Sequence, residues 1–459
     1  MLTDSKPFQC MDYLIKAPTK LRTTVCLPAS KSISNRILFL NAMSVRRQEI
    51  HNLSDCDDTN VMFSALQSQQ TDIDIKAAGT AMRFLTAYLA GKEGIWTITG
   101  TERMRNRPIK ILVDALNTIG AQIEYVEREG FPPLRIYGRT LKGGEVSLDG
   151  GVSSQYISAL LMAAPYMLNG LRLHLTGQVI SKPYLRLTIR LMNEFGVEVF
   201  EEGQTITIPP QPYISVPFTV ESDWSAASYW YEMVALSECQ VPGSKFEGSG
   251  SRVPGEDEVE VVLTGLFANS MQGDAKIVDL FDQLGVKTTF TSNGVVLTRK
   301  ECNIKIPFVF DFTDMPDMAQ TFAVTCAMLD IPFCFSGLQS LKIKETDRLA
   351  AIRNELSKFG FSLTEQDGKI LRWNGERTEA VASPIIYTYE DHRMAMAFAP
   401  IALRYKEGIR IADIEVVSKS YPRFWDDICK VGFQLFTVEY IGLEPITSTL
   451  PVSRSSRMS

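Results

Sequence analysis

Five segments of this chain share one pattern of apolar and polar positions: an amphipathic helical stretch, a Gly, then a strand-like alternation. They are LNTIGAQIEYV at Gly120, MNEFGVEVFEE at Gly196, FDQLGVKTTFT at Gly285, LSKFGFSLTEQ at Gly360 and ICKVGFQLFTV at Gly432. Gly suits the left-handed position after a helix, and strict alternation suits a half-buried strand. MFSALQSQQTDIDIK reads as a sixth copy that lacks the Gly. The glycines lie about 70 to 90 residues apart, longer than the units of ordinary solenoids, so each copy is predicted to be a small α/β module. Six modules divide into two groups of three. The boundary is expected near residue 221, where QTITIPPQPYISVPFTV gives way to the helix-like ESDWSAASYWYEMVAL. The polar end EPITSTLPVSRSSRMS reads as a disordered tail.

Composition narrows the class. With 459 residues and 45% hydrophobic content, the chain is too long for one typical core. A net charge of −6 disfavours nucleic acid and anionic membrane as partners. The eight cysteines, Cys10, Cys26, Cys56, Cys239, Cys302, Cys326, Cys334 and Cys429, form no CxxC pair, which fits isolated thiols in a reducing compartment. MLTDSKPFQCMDY lacks the features of a signal peptide, and no apolar run approaches the ~20 residues of a membrane helix. A cytoplasmic protein is expected.

The charges, however, are placed unusually. Basic side chains are disfavoured in the first turn of a helix, where the dipole is positive. Yet PASKSISNRILFL carries Lys31 and Arg36 near a Ser-capped start, and AGTAMRFLTAYLAG carries Arg83 behind Gly79 and Thr80. KETDRLAAIRNEL has Arg348 after Thr346, a predicted cap, and YEDHRMAMAFAPIAL has His392 and Arg393 after Asp391, another. One such helix is explained by a solvated arginine; four point to helix starts that share an anion. GVSSQYISALLMAAP presents Ser153, Ser154 and Gln155, and ISKPYLRLTIRLM presents Ser181, Lys182 and Tyr184. Simple capping needs only one such side chain per helix. RMRNRPIKILVDAL adds Arg103, Arg105 and Arg107. Acids lie among the bases: Asp311, Asp314 and Asp317 in DFTDMPDMAQTFAVTCAML, and Glu345 beside Lys344. Cations would keep such carboxylates ionised, able to move protons. There is no GxxxxGK[ST], GxGxxG or GxSxG, and only His51, His174 and His392 are available as imidazoles. The expected pocket is cationic and phosphate-binding, with no metal and no cofactor.

Together LPASKSISNR, AGTAMR, RMRNRPI, SSQYISALLMAAP, SKPY, MPDMAQT, KETDRL, DHRMAMAF and SKSYPRFW, from about Leu27 to Phe436, resemble the 5-enolpyruvylshikimate-3-phosphate synthase family. The resemblance implies a two-domain α/β (α+β) enolpyruvyl transferase fold, with three βαβαββ-type units per domain around a central cleft. Residues 1–28 plus 222–443 would form the first domain and 29–221 an inserted second, leaving 444–459 as the disordered tail. The implied reaction adds the 5-hydroxyl of shikimate 3-phosphate to C2 of phosphoenolpyruvate and then expels phosphate, in aromatic amino-acid biosynthesis. Asp317 would accept the proton, Glu345 would donate it and Lys31 would touch both substrates. Shikimate 3-phosphate would be held by Lys31, Ser32, Arg36, Ser153, Ser154, Gln155, Ser181, Asp317, Ser340 and Lys344. Phosphoenolpyruvate would be held by Lys31, Gly79, Arg107, Gln155, Arg348, Arg393 and Lys419. The implied protein is a monomer acting on small molecules, and glyphosate is expected to compete with phosphoenolpyruvate. Ala78, Phe84, Trp224 and Ser340 depart from residues common in the family. Two alternatives stand beside this reading. One is a UDP-N-acetylglucosamine enolpyruvyl transferase, whose loop cysteine has no counterpart in RMRNRPI; the other is a non-catalytic anion-binding protein on the same fold.

Overall fold

The computed structural model describes residues 12–237 and 259–438, with the backbone of 443–445. All five glycine turns are present: Gly120, Gly196, Gly285, Gly360 and Gly432 follow helices with φ between 79° and 109°, the left-handed region that a side chain would strain. The strand after each Gly pairs antiparallel with a neighbour. Ile123–Tyr125 meets Leu134–Gly138, Phe200–Glu202 meets Thr205–Ile208, and Val286–Thr291 meets Gly294–Arg299. Thr364–Gln366 meets Ile370–Trp373, and Gln434–Val438 meets Asp12–Lys16.

The sixth segment behaves differently. Helix Asp57–Gln67 leads into Asp72–Asp74, which runs parallel to Gly94–Thr99 and so opens the next sheet. Without the Gly turn no hairpin follows, and the neighbouring sheet is only two strands, Ile50–His51 beside Phe218–Thr219. The other five sheets have four or five strands and mix parallel with antiparallel pairs. Helices and sheets thus alternate in repeated units, the α/β class read from the sequence.

Two hydrophobic cores form. One draws on Tyr13 to Leu27 and Trp224 to Leu435, the other on Ala29 to Val220. The chain crosses between them twice, side by side. Asp223 donates its N–H to the Pro28 carbonyl (2.9 Å) and Ser30 donates to the Glu221 carbonyl (2.9 Å). Gln272 ties this crossing down, donating to the Ser222 carbonyl at 2.8 Å and accepting from the Trp224 N–H at 3.1 Å. The helices on either side start from short polar side chains, as helix ends demand. Ser30 caps Lys31–Met43, Ser153 caps Ser154–Ala163 and Asp223 caps Trp224–Leu236. Asp347, not the predicted Thr346, caps Arg348–Ser357, its carboxylate accepting the Ala350 N–H at 3.1 Å.

The tail expected to be disordered, 444–459, lies almost wholly outside the described residues. Leu443–Pro445 pairs antiparallel with Gln434–Val438 and covers the edge of its sheet, a favourable use of unpaired strand groups. Among the described residues no helix is long and apolar enough to cross a membrane.

Trp224, at the start of its helix, is fully buried with its ring 6.5 Å from that of Tyr231 and 6.4 Å from that of Phe290. Trp224→Ala is expected to lower the unfolding free energy by about 3–5 kcal/mol through the cavity it leaves. Urea denaturation followed by circular dichroism measures this.

Candidate active site

Each charged side chain singled out in the sequence can be traced to the element that aims it. Arg348, first residue of its helix, is 1% exposed and spreads its guanidinium over three carboxylates. Its Nε and Nη2 donate to Asp391 at 2.7 and 3.2 Å, Nη1 donates to Asp317 at 2.7 Å, and Nη2 also donates to Glu345 at 2.8 Å. A fork of five fixed donors is what allows one side chain to do this. Asp391 serves twice, since its Oδ1 also caps helix His392–Phe398 through the Arg393 N–H at 2.9 Å.

Asp317 gathers further cations: Lys344 at 3.2 Å and Arg393 at 3.8 Å. Arg393 also donates to the Ser225 hydroxyl at 3.3 Å. Glu345 reaches across to Arg107 of the other core, 3.6 Å away. Gly79 lies directly beneath that guanidinium; a Cβ there would stand 2.5 Å from Arg107 Nη1. Its neighbour Thr80 accepts a bond from Gln155 Nε2 at 3.1 Å, which joins the helix starts at Gly79 and Ser154. A second group forms around Asp58, whose two oxygens take Lys31 at 3.3 Å and Lys419 at 3.2 Å. Lys419 also donates to the Ala77 carbonyl at 2.5 Å. Lys31, Ser32, Asp223, Ser225 and Arg393 line one small cavity between the two groups.

Among the described residues, Lys31, Arg107, Lys344, Arg348, Arg393 and Lys419 find their ion-pair partners in only four carboxylates: Asp58, Asp317, Glu345 and Asp391. Asp223 and Asp274 stand in the same group, so six carboxylates balance these six cations. Two more buried arginines, Arg36 and Arg83, put positive charge in excess. Arg36 donates only to neutral oxygens, those of Thr188 (2.7 Å), Ser32 (2.9 Å), Ser158 and Tyr184, and burial brings its pKa down to about 10. Arg83 donates to the Gly79 and Pro108 carbonyls and the Met104 sulfur; burial and the neighbouring Arg107 bring it to about 10 as well. Burial opposes charge on Asp317, but Lys344, Arg393 and Arg348 outweigh it and hold the carboxyl far below its ordinary range. Glu345 is likewise held well below, by Arg348 and Arg107 against burial. Burial would lower the Lys31 pKa, but Asp58 more than compensates and raises it. Two ionised carboxylates beside several ammonium and guanidinium groups can bind a small polyanion and exchange protons with it.

Not every candidate joins this cluster. The hydroxyls of Ser153, Ser154, Ser181 and Ser340 make no hydrogen bond to it among the described residues; Ser153 caps its own helix, and the buried Ser340 Oγ has no partner. Ser181 adopts a left-handed φ of 54° and donates its N–H to the Thr313 carbonyl at 2.9 Å, joining the two cores. Of the three clustered arginines only Arg107 points inward; Arg105 pairs with Glu127 at 3.3 Å on the surface and Arg103 with Glu390 at 2.9 Å. Sequence reasoning missed Asp58, for an acid in the first turn of a helix is ordinary chemistry. It read Asp391 as a cap and not also as an anchor. It also missed Asp274, which accepts from Ser225 and from the Tyr184 hydroxyl at 3.2 and 3.3 Å.

The matching family is described as EPSP synthase (3-phosphoshikimate 1-carboxyvinyltransferase), and its model aligns with residues 15–73, 66–244 and 256–428. The chain belongs to the EPSP synthase family. A 3-phosphoshikimate 1-carboxyvinyltransferase of Bacteroides fragilis is 54% identical over 424 residues, 92% of this chain and 98% of that protein. Another, from Vibrio cholerae, is 35% identical over 452 residues, 92% and 100% of the two chains. An EPSP synthase structure from Acinetobacter baumannii overlays with a TM-score of 0.69 at 20% identity, covering 93% of this chain and 99% of that one, which shows the shared fold.

Asp274 offers a pH test of the packing beside this cluster. Burial raises its pKa to about 6, from 3.8, so the protonated carboxyl favours the folded state. That contribution is complete below the unfolded value and is lost as pH rises through about 6. The stability of the protein relative to Asp274→Asn should grow by about 1 kcal/mol as pH falls from about 7.5 to 5, read by thermal melts of both.

Proposed function

We propose that this chain transfers the enolpyruvyl group of phosphoenolpyruvate to the 5-hydroxyl of shikimate 3-phosphate with release of phosphate. The observation that carries the reading is the cation excess where the two cores meet, built around carboxylates that are themselves held ionised. Both substrates are small and multiply anionic, so they neutralise that excess. The activity of the relatives, 3-phosphoshikimate 1-carboxyvinyltransferases, points the same way and away from a sugar-nucleotide acceptor.

In this reading the hydroxyl bonds to C2 of phosphoenolpyruvate while a proton is added to C3, giving a tetrahedral intermediate. Loss of phosphate and of one C3 proton then regenerates the double bond. Asp317 takes the hydroxyl proton; Glu345, which takes up a proton from solvent as the substrates draw Arg348 and Arg107 away from it, delivers that proton to C3 and recovers one in the elimination; Lys31 steadies charge at the point where the substrates join. Phosphoenolpyruvate lies against Lys31, Gly79, Arg107, Gln155, Arg348, Arg393 and Lys419. Shikimate 3-phosphate lies against Lys31, Ser32, Arg36, Ser153, Ser154, Gln155, Ser181, Asp317, Ser340 and Lys344. The cations that pair with carboxylates in the structure exchange some of those partners for substrate oxygens. Residues 1–28 plus 222–443 and residues 29–221 act as the two halves that close on the substrates. The enzyme works as a cytoplasmic monomer on small molecules, without nucleic acid or membrane.

The test is phosphate release from the two substrates mixed. The wild-type protein is expected to turn over, and Asp317→Asn to slow release by about 100- to 10,000-fold; a folded wild-type protein that releases no phosphate would overturn the reading. Gly79→Ala pushes against Arg107. It is expected to raise KM for phosphoenolpyruvate about tenfold or more while leaving that for shikimate 3-phosphate nearly unchanged, in initial-rate kinetics.

A further inference from the structure

Immediately before Asp391 the backbone is strained. Tyr389 and Glu390 are consecutive residues with φ of 54°, a left-handed conformation that costs any side chain except Gly, and Asn or Asp least among the rest. The turn is gripped from behind by its own core. Glu355, fully buried, accepts from the Tyr387 N–H at 3.1 Å and the Tyr389 hydroxyl at 2.6 Å. Glu355 stands on the same helix as Arg348, two turns further on. From the front the turn is gripped by the other core. Arg103 Nη1 donates to the Tyr389 carbonyl at 3.1 Å and to the Glu390 carboxylate at 2.9 Å. Arg103 lies in the short helix Glu102–Arg105, four residues before Arg107, so one segment reaches both Glu345 and this turn.

We propose that Arg103 is a positioning residue for the transfer reaction, clamping the strained turn so that Asp391 holds Arg348 in place. The inference rests on the activity proposed above. Glu355 can hold the tyrosines whether or not the two cores touch, but the Arg103 contact exists only when they do. Closure is thereby coupled to the last residue before helix His392–Phe398, and through Asp391 to the guanidinium that aligns Asp317 and Glu345. An exposed Arg–Glu pair alone is worth little, and Glu390 is largely exposed. The working part of the contact is the hold on a backbone that would otherwise relax.

The experiment is a rescue. Arg103→Gln is expected to lower kcat about 3- to 30-fold with little change in melting temperature. Adding Glu390→Gly, which accepts a left-handed φ without strain, should recover most of the loss. A general effect of Arg103 charge on anionic substrates would not be rescued this way. Wild-type kcat in Arg103→Gln, or a double variant no faster than the single one, overturns the proposal. If the wild-type protein itself shows no turnover, the proposed activity fails and the clamp is judged separately by hydrogen exchange. Faster exchange at the amides of 388–391 in Arg103→Gln than in the wild type supports it, and equal exchange overturns it.

Discussion

The buried guanidinium of Arg348 fixes the rest of the site. Removing such a charge from water is costly unless its donors are all engaged, and here Asp317, Glu345 and Asp391 engage them. These acids come from three stretches of sequence: a short turn before one helix, the turn before another, and the cap of a third. The need to satisfy one cation therefore sets the relative positions of three helix starts. Glu345 extends the constraint to Arg107 and Asp317 extends it to Lys344 and Arg393. Removing any one of the acids would leave buried positive charge uncompensated, so site geometry and the stability of that core are the same problem.

A second consequence is electrostatic. Six acids, Asp58, Asp223, Asp274, Asp317, Glu345 and Asp391, stand against eight cations once Arg36 and Arg83 are counted, so the site is held together by attraction and still carries surplus positive charge for a ligand. Arg36 and Arg83 supply that surplus without loosening the cluster, since their donors are spent on neutral oxygens of their own core. The pocket thus combines a rigid ionic frame with an unmet demand for anions, which is what a site for two small phosphate esters requires.

Much of this was legible in the sequence, for local reasons. A Gly after a helix is a local conformational demand, and all five predicted positions have positive φ. Basic residues in first helical turns break a local rule, and Lys31, Arg348 and Arg393 all prove to face acids, with Lys31 and Arg393 lining one cavity. What stayed hidden was non-local. Asp58 obeys every local rule, so nothing in its segment advertises that it holds Lys31 and Lys419. The segment MFSALQSQQTDIDIK has the look of a helix–strand copy, but its strand pairs parallel in the next sheet, a choice made by a partner more than twenty residues away. Arg103, Arg105 and Arg107 look alike in sequence; two residues of spacing turn each to a different partner.

The strand Asp12–Lys16 has a further implication for how the molecule comes into being. It lies between Ile409–Ala412 and Gln434–Val438, so it must wait for its neighbours until nearly four hundred further residues have been made. The core drawn from Ala29 to Val220 has all its parts much earlier and can set while the remainder is still emerging. A nascent chain interrupted before residue 393 would carry one finished half, an unpaired Asp12–Lys16 strand and none of the Lys419 or Arg393 chemistry.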